Sequence, residues 1–205
     1  MNKLTQNENN GDTNNQEICN ESGDNISTPV ILFDKDGLIF KKIKDHHYNL
    51  TFSISNDKII LSKVIDFPFI KLIYELNPDV YEKINLEIVN SNEAILTLVM
   101  KHFFEDLGLP QRYSFLHINK TNYANAILFE CKSIKSYRPD GVDGCELMAI
   151  KNMNSLCASL TPHIMNFNFD VIFEDYMKIP PFAEKMIGMI INKIFIRVKQ
   201  FIEKM

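Results

Sequence analysis

The sequence predicts an α+β fold in which a curved antiparallel β-sheet wraps around one long C-terminal helix, with two short helices after an early strand. Three observations lead there. From Pro180-Pro181 to Met205 the chain carries one uninterrupted amphipathic helical pattern. Most of what precedes it reads as apolar or alternating runs separated by short turn segments, as antiparallel strands require. Between Phe67 and Ile84 the apolar spacing changes to three and four, which is helical.

Residues 1–28 hold eight asparagines and almost no large apolar side chain. Such a composition cannot bury enough surface to offset its ordering entropy, so a disordered Asn-rich tail is expected, with one domain over 29–205. Val30–Phe33 and Leu38–Ile43 flank Asp34-Lys35-Asp36-Gly37, a turn that places glycine where φ is positive. Tyr48–Ile54 alternates strictly, Ser55–Lys58 turns the chain, and Ile59–Ile65 reads as the returning strand. Phe69, Ile70, Ile73, Leu76, Val80, Tyr81 and Ile84 then follow helical spacing, split by Asn77-Pro78-Asp79 into two short helices.

Strands resume at Leu86–Val89 and Ala94–Met100 around Asn90-Ser91-Asn92, with the second run extending into Lys101–Phe104 as strand or helix. Tyr113–Ile118, Ala124–Ile134, Glu146–Leu156 and Ile164–Phe173 complete the set. Asn119–Asn122, Pro139–Gly144 and Thr161-Pro162 supply the turns between them. In the terminal helix Pro181 suits the first turn, Glu184 complements the positive end of the helix dipole and Lys204 the negative end. Ala183, Ile187, Ile190, Ile191, Ile194, Phe195, Val198, Phe201, Ile202 and Met205 share an arc of about 140°, wider than a coiled-coil seam. Such a stripe needs a broad apolar partner, and the concave face of the sheet provides one.

Composition narrows the function. At 205 residues the chain can bury one sizeable core. A net charge of −4 argues against nucleic-acid binding, which asks for a basic stripe. Cys19, Cys131, Cys145 and Cys157 show neither CxxC pairing nor zinc-ligand spacing, and no cofactor is implied. The polar start lacks a signal-peptide core, and Asn192, Lys193 and Arg197 interrupt the longest apolar stretch. The expectation is a soluble, reduced, cytoplasmic protein, in which the N-x-S/T matches at Asn25, Asn49 and Asn119 carry no meaning.

The element order resembles the helix-grip plan of the START and Bet v 1-like superfamily over roughly Ile59 to Met205. Locally it looks closest to START domains. Leu109-Pro110-Gln111-Arg112-Tyr113-Ser114-Phe115-Leu116 resembles the family's stretch in which an arginine opens a strand. Ala126–Ile134 resembles the following strand with its late serine, and Ile179-Pro180-Pro181-Phe182 the proline-containing entry to the last helix. Arg112-Tyr113-Ser114 stands where the family usually has Arg-Asp-Phe, and the tryptophans usual in the family are absent. The resemblance implies a lipid or other hydrophobic ligand held between sheet and helix, taken up at a membrane surface through loop movement.

On that reading Ile187, Ile190, Ile191, Ile194, Phe195 and Val198 form the helical wall, with Met186 and Met189 beside the gate. Phe129 contributes from the sheet. Arg112 suits a phosphate or carboxylate head group, and His117 is the second polar candidate, on the same strand face as Tyr113 and Phe115. Lys185, Lys193, Arg197, Lys199 and Lys204 offer cations to a membrane surface. His46-His47, His102, His163 and the strand cysteines form no catalytic constellation, so an enzyme is not expected.

Two other functions fit parts of the chain. Val30–Ile39, with Asp34-Lys35-Asp36-Gly37, resembles the first motif of haloacid-dehalogenase-type phosphatases. That resemblance implies Asp34 as nucleophile and Asp36 as acid/base, with magnesium neutralising charge. The motif needs a parallel sheet with crossover helices. The third reading is an interaction module whose helix stripe fills a core and leaves no cavity.

Overall fold

The computed structural model describes residues 28–103, 105–177 and 179–205. All but one residue of the expected tail, residues 1–27, lie outside it. Three strands come first, β1 (Val30–Lys35), β2 (Leu38–Lys44) and β3 (His47–Ser55). A 3-10 turn (Leu61–Lys63) and helix α1 (Phe67–Glu75) follow. Then come β4 (Tyr81–Asn90), β5 (Glu93–Met100), a 3-10 turn (Glu105–Leu107), β6 (Arg112–Asn122) and β7 (Ala126–Ser133). The two-residue β8 (Glu146–Leu147), β9 (Ile150–Thr161), β10 (Ile164–Phe173) and the long helix α2 (Pro181–Lys204) end the chain.

One curved sheet collects all the strands in the order β1-β2-β3-β10-β9-β7-β6-β5-β4. Among the described residues only β8 pairs in parallel, with the start of β6. β1 and β4 are its two edges, so the sheet stays open and is not a barrel. Register shifts at Ile31/Phe33, Ile172/Phe173 and Ile88/Asn90 bend the strands where they occur. The β1–β2 hairpin turns on Asp36 (φ 56°) and Gly37 (φ 77°), the two left-handed residues that a tight hairpin requires.

Three sequence expectations shift. Ile59–Ile65 is no strand: the Asn56 side chain accepts from the backbone N–H groups of Lys58 (2.8 Å) and Ile59 (3.2 Å), and Leu61 N–H donates to Pro162 O, winding the chain into a turn. The first strands therefore lie at 30–55, and the short helical pieces are the turn at Leu61 and α1, both before Asn77. Val80 closes the turn before β4, and Tyr81–Ile84 join that strand, because Tyr81, Lys83 and Ile84 find ladder partners in Met100, Val99 and Leu98. Lys101 and His102 belong to neither strand nor helix.

The concave face holds the main core. Phe52 stacks on Phe167 at 4.8 Å between ring centroids, and Phe195 of α2 leans on Phe52 (5.2 Å) and Phe169 (5.0 Å). Each such ring buries about 1.5–3 kcal/mol of transfer free energy, with about 0.5–1.5 kcal/mol more from ring geometry. A smaller core of Val99, Tyr113, Phe115, Val142 and Cys145 lies on the other face, under the segment between β7 and β8. Arg138 holds that segment down by donating to the carbonyls of Val142 (2.5 Å) and Cys145 (2.7 Å) while its guanidinium covers Tyr113.

Polar contacts fix α2 along its length. Arg197 donates to Asn77 Oδ1 (3.1 Å) and forks onto Asp79, which also takes Lys193. These cations, the Arg197 hydrogen bond foremost, hold the Asp79 carboxyl well below the usual carboxylate range. Buried Asn56 donates to Ile202 O at 2.6 Å, adding to the 3.2 Å bond from Met205 N–H at a helix end whose carbonyls lack their usual partner four residues on. At Gly188 the helix passes over the hairpin, and a Cβ there would make ordinary contact with Phe40 (3.5 Å) and with Leu32 and Phe33 (3.9 Å). Phe201 and Met205 leave the apolar arc for solvent, being 40% and 52% exposed.

Candidate functional site

Between the concave face, α1 and α2 lies a cavity of about 330 Å³. That size falls at the lower end of small-molecule sites. Period-two alternation decides which strand residues reach it. On β6 the even-numbered Arg112, Ser114, Leu116 and Ile118 line the cavity, and on β7 Phe129 and Cys131 do. α1 contributes Phe69, Ile70, Ile73 and Tyr74, and β4 contributes Tyr81. One end is framed by Leu109, Pro110, Met148, Met177, Ile179 and Pro180, from the connections that enter β6, β9 and α2.

The expected helical wall assembles with one exception. Ile187, Ile190, Ile191, Ile194 and Phe195 line the cavity. Val198, fully buried, sits a turn further on in solid core, so its place in the wall is corrected to packing. His117 is corrected as well. It alternates with the cavity-lining residues and lies on the opposite face, on the side of Tyr113 and Phe115. The face it shares with Tyr113 and Phe115, as expected, is the convex one: the segment after β7 buries both rings there, so both faces of β6 are apolar. Arg112 is at the cavity, but its Nη1 donates to Glu146 Oε2 at 2.6 Å. About a third exposed, its guanidinium shares charge with that partly solvated carboxylate through one nitrogen (31% and 59% exposed).

Other polar groups were not singled out by the sequence. Tyr48, Tyr74, Tyr81, Ser114 and Ser155 all border the cavity. Tyr48 Oη donates to Glu184 Oε1 (2.8 Å), and Lys42 Nζ donates to the same oxygen (2.9 Å), tying the first turn of α2 to β2 and β3. Lys42 also pairs with Asp45 (2.9 Å). The hydrogen bonds to Asp45 and then Glu184 hold its ammonium above the ordinary lysine range. Burial, reinforced by the Glu184 carboxylate, pushes the Tyr48 phenol up. Burial likewise raises the phenols of Tyr74 and Tyr81 and pushes the thiols of Cys131 and Cys157 up to about 12. The cysteines are thus neutral, apolar lining and not nucleophiles.

The remaining candidates are structural. His163 Nδ1 bonds the carbonyls of Asn56 (3.0 Å) and Ile59 (2.9 Å), His102 Nε2 bonds Leu109 O (2.5 Å), and His47 Nε2 meets Asp170 Oδ1 (2.5 Å). His46 occupies the β2–β3 turn at φ 61°. Asp34 ends β1 and Asp36 forms the hairpin turn of an antiparallel sheet, so the phosphatase motif lacks the parallel strand end its chemistry needs. Among the expected helix cations, Lys193 and Arg197 are committed to Asp79, and Lys199 lies 3.4 Å from Asp36 O and 4.0 Å from Glu203.

No family model matches the chain, and no curated protein matches its sequence. Solved structures do match its fold. A STAR-related lipid transfer protein fragment from Xanthomonas axonopodis superposes with a TM-score of 0.62 at 11% identity, covering 85% of this chain and 98% of that one. The human StarD13 lipid transfer and protein localization domain gives 0.60 at 12% identity, with 84% and 88% covered. Human StAR-related lipid transfer protein 5 gives 0.56 at 11%, with 85% and 88% covered. At such identities the likeness is one of fold, and it extends to the early strands that the sequence resemblance left out. The chain has the helix-grip fold of START domains, a curved antiparallel sheet gripping a C-terminal helix.

Proposed function

We propose that the protein binds a lipid or other hydrophobic small molecule in the cavity between sheet and α2, and carries it. The observation that supports this reading most is the cavity itself, about 330 Å³ walled by isoleucines and phenylalanines where a filled-core module would have none. Each methylene moved from water into such a site contributes about 0.8 kcal/mol, so a hydrocarbon chain binds without covalent chemistry.

Entry requires the wall to move. Met177, Ile179 and the first turns of α2 cover one end of the cavity, and Pro180 marks where α2 begins. Glu184 is the latch, through Lys42 and Tyr48. Leu107, Tyr176, Phe182 and Met189 are 60%, 64%, 49% and 53% exposed, each within two residues of a cavity-lining position. Apolar side chains near the cavity suit transient contact with a membrane surface better than Lys193 and Arg197, which are committed to Asp79. Among the described residues no helix is long and apolar enough to cross a membrane.

Native mass spectrometry of the purified protein, followed by solvent extraction, tests the reading. A discrete added mass that extraction removes and identifies as a lipid is the expected result. A bare chain that also fails to take up lipid from vesicles would refute it.

A further inference from the structure

The two edges of the sheet are not alike. β1 is six residues long, carries a register shift at Ile31/Phe33 and lies against α2. β4 runs for ten residues without proline or glycine. Its irregularities fall near its ends, at Tyr81/Lys83 and Ile88/Asn90, leaving Lys83–Ile88 in unbroken register with β5. Among the described residues, the backbone from Glu82 to Asn90 makes no hydrogen bond outside the β4–β5 hairpin. Alternate residues of such a strand turn their N–H and C=O groups away from the sheet, a ready template for another strand.

The side chains along this edge complement themselves. Lys83, Asn85 and Glu87 stand opposite Val99, Thr97 and Ile95 on the convex face, while Ile84 and Leu86 turn to the main core. Two copies of one strand pair antiparallel about a twofold axis perpendicular to the sheet, so each residue meets one from its own face. A centre at Lys83 or at Glu87 would set like charges opposite one another, which is destabilising. A centre at Ile84 or Leu86 would leave Lys83 facing Asn85 or Val89. A centre at Asn85 sets Lys83 of each copy opposite Glu87 of the other, and Ile84 opposite Leu86. Asn85 then meets itself, with an amide that both donates and accepts. Lys83 Nζ donates to Asp140 O at 3.0 Å, an exposed contact that leaves its other hydrogens for a carboxylate.

We propose that the protein self-associates through β4, two copies joining antiparallel about Asn85 into one continuous sheet. The charge order of the edge is its own complement, which favours a second copy over an unrelated strand.

Sedimentation velocity of the full chain over about 1–100 μM tests this. The expected result is a monomer–dimer equilibrium without larger species, because a twofold contact closes on itself. Lys83→Glu and Glu87→Lys each set like charges opposite one another at both ends of the contact, and each should weaken the dimer at least roughly tenfold. Mixing the two single variants, or combining both changes in one chain, restores opposite charges and should recover the wild-type dimer to within about threefold. Recovery on mixing also shows that each variant is folded. Amides of Lys83–Ile88 should exchange more slowly at high than at low protein concentration, while those of β1 keep their rates. A monomer at every concentration would overturn the dimer and give the edge to a different partner. A dimer that neither reversal weakens, or one that mixing fails to restore, would overturn it as well. So would open-ended polymers, the product of β4 pairing with β1 of the next copy.

Discussion

Replacing Glu184 by alanine should unlatch the N-terminal half of α2 without unfolding the protein. The carboxylate accepts from Tyr48 Oη at 2.8 Å and Lys42 Nζ at 2.9 Å, with Glu184 only 16% and Lys42 24% exposed. A hydrogen bond to a charged group is worth about 1.5–3 kcal/mol, and the Tyr48 bond belongs at the low end of that range. Lys42 keeps Asp45 after the change, so its loss adds only about 0.5 kcal/mol. The sum, about 2 kcal/mol, corresponds to a roughly thirtyfold larger open population. Native-state hydrogen exchange reads this at the amides of Ile187 and Gly188, which should exchange roughly thirtyfold faster while those of β6 and β7 keep their rates. Ligand release should accelerate by a similar factor. A rise below about threefold, or one spread evenly over the sheet, would refute the latch.

Three further outcomes follow from the same geometry. Asp79 has its folded pKa depressed by Arg197 and Lys193, so its contribution is present above the unfolded value near 4 and lost as pH falls below it. Asp79→Asn should therefore flatten the acid limb of Tm against pH, by about 1 kcal/mol or less since the carboxylate is partly solvated. Ile191→Phe projects extra volume into the cavity and should abolish ligand uptake at a stability cost under about 1 kcal/mol, read by urea denaturation; a loss of about 1–3 kcal/mol would mean that the site was already filled. Cys131 and Cys157, with thiols near 12, expose about one thiolate in ten thousand at pH 8. Maleimide labelling of both should be slow in the native protein and faster in Glu184→Ala.

The parts of this molecule that a local pattern could specify were readable before the fold was known. Asp36-Gly37 announced its hairpin because only a left-handed pair closes so tight a turn. The stripe from Ile187 to Phe195 announced the wall because helical spacing alone sets which residues share a face. What failed was set by distant partners. Tyr81–Ile84 belongs to a helically spaced run, and β5 overrode that spacing by offering a ladder. His117 shares its face with Tyr113 and Phe115, yet that face is not the cavity side, because the segment around Val142 buries the convex side of β6 and erases its alternation. Tyr74, Tyr81 and the Glu184 latch left no local signal: Tyr48 and Glu184 are 136 positions apart and meet only once the helix lies across the sheet.

The open sheet has one more consequence. In a closed barrel the strand number and stagger fix the bore, and a wider interior would demand breaking the hydrogen-bonded wall. Here β1 and β4 never pair; α1 packs on β4, and between α1 and β1 lies α2. The chamber's capacity is therefore governed by where that helix rests. Sliding or tilting it exchanges side-chain contacts and leaves every rung of the ladder intact. A protein built this way can swell around a bulky guest and shrink around a slim one, with its scaffold unchanged.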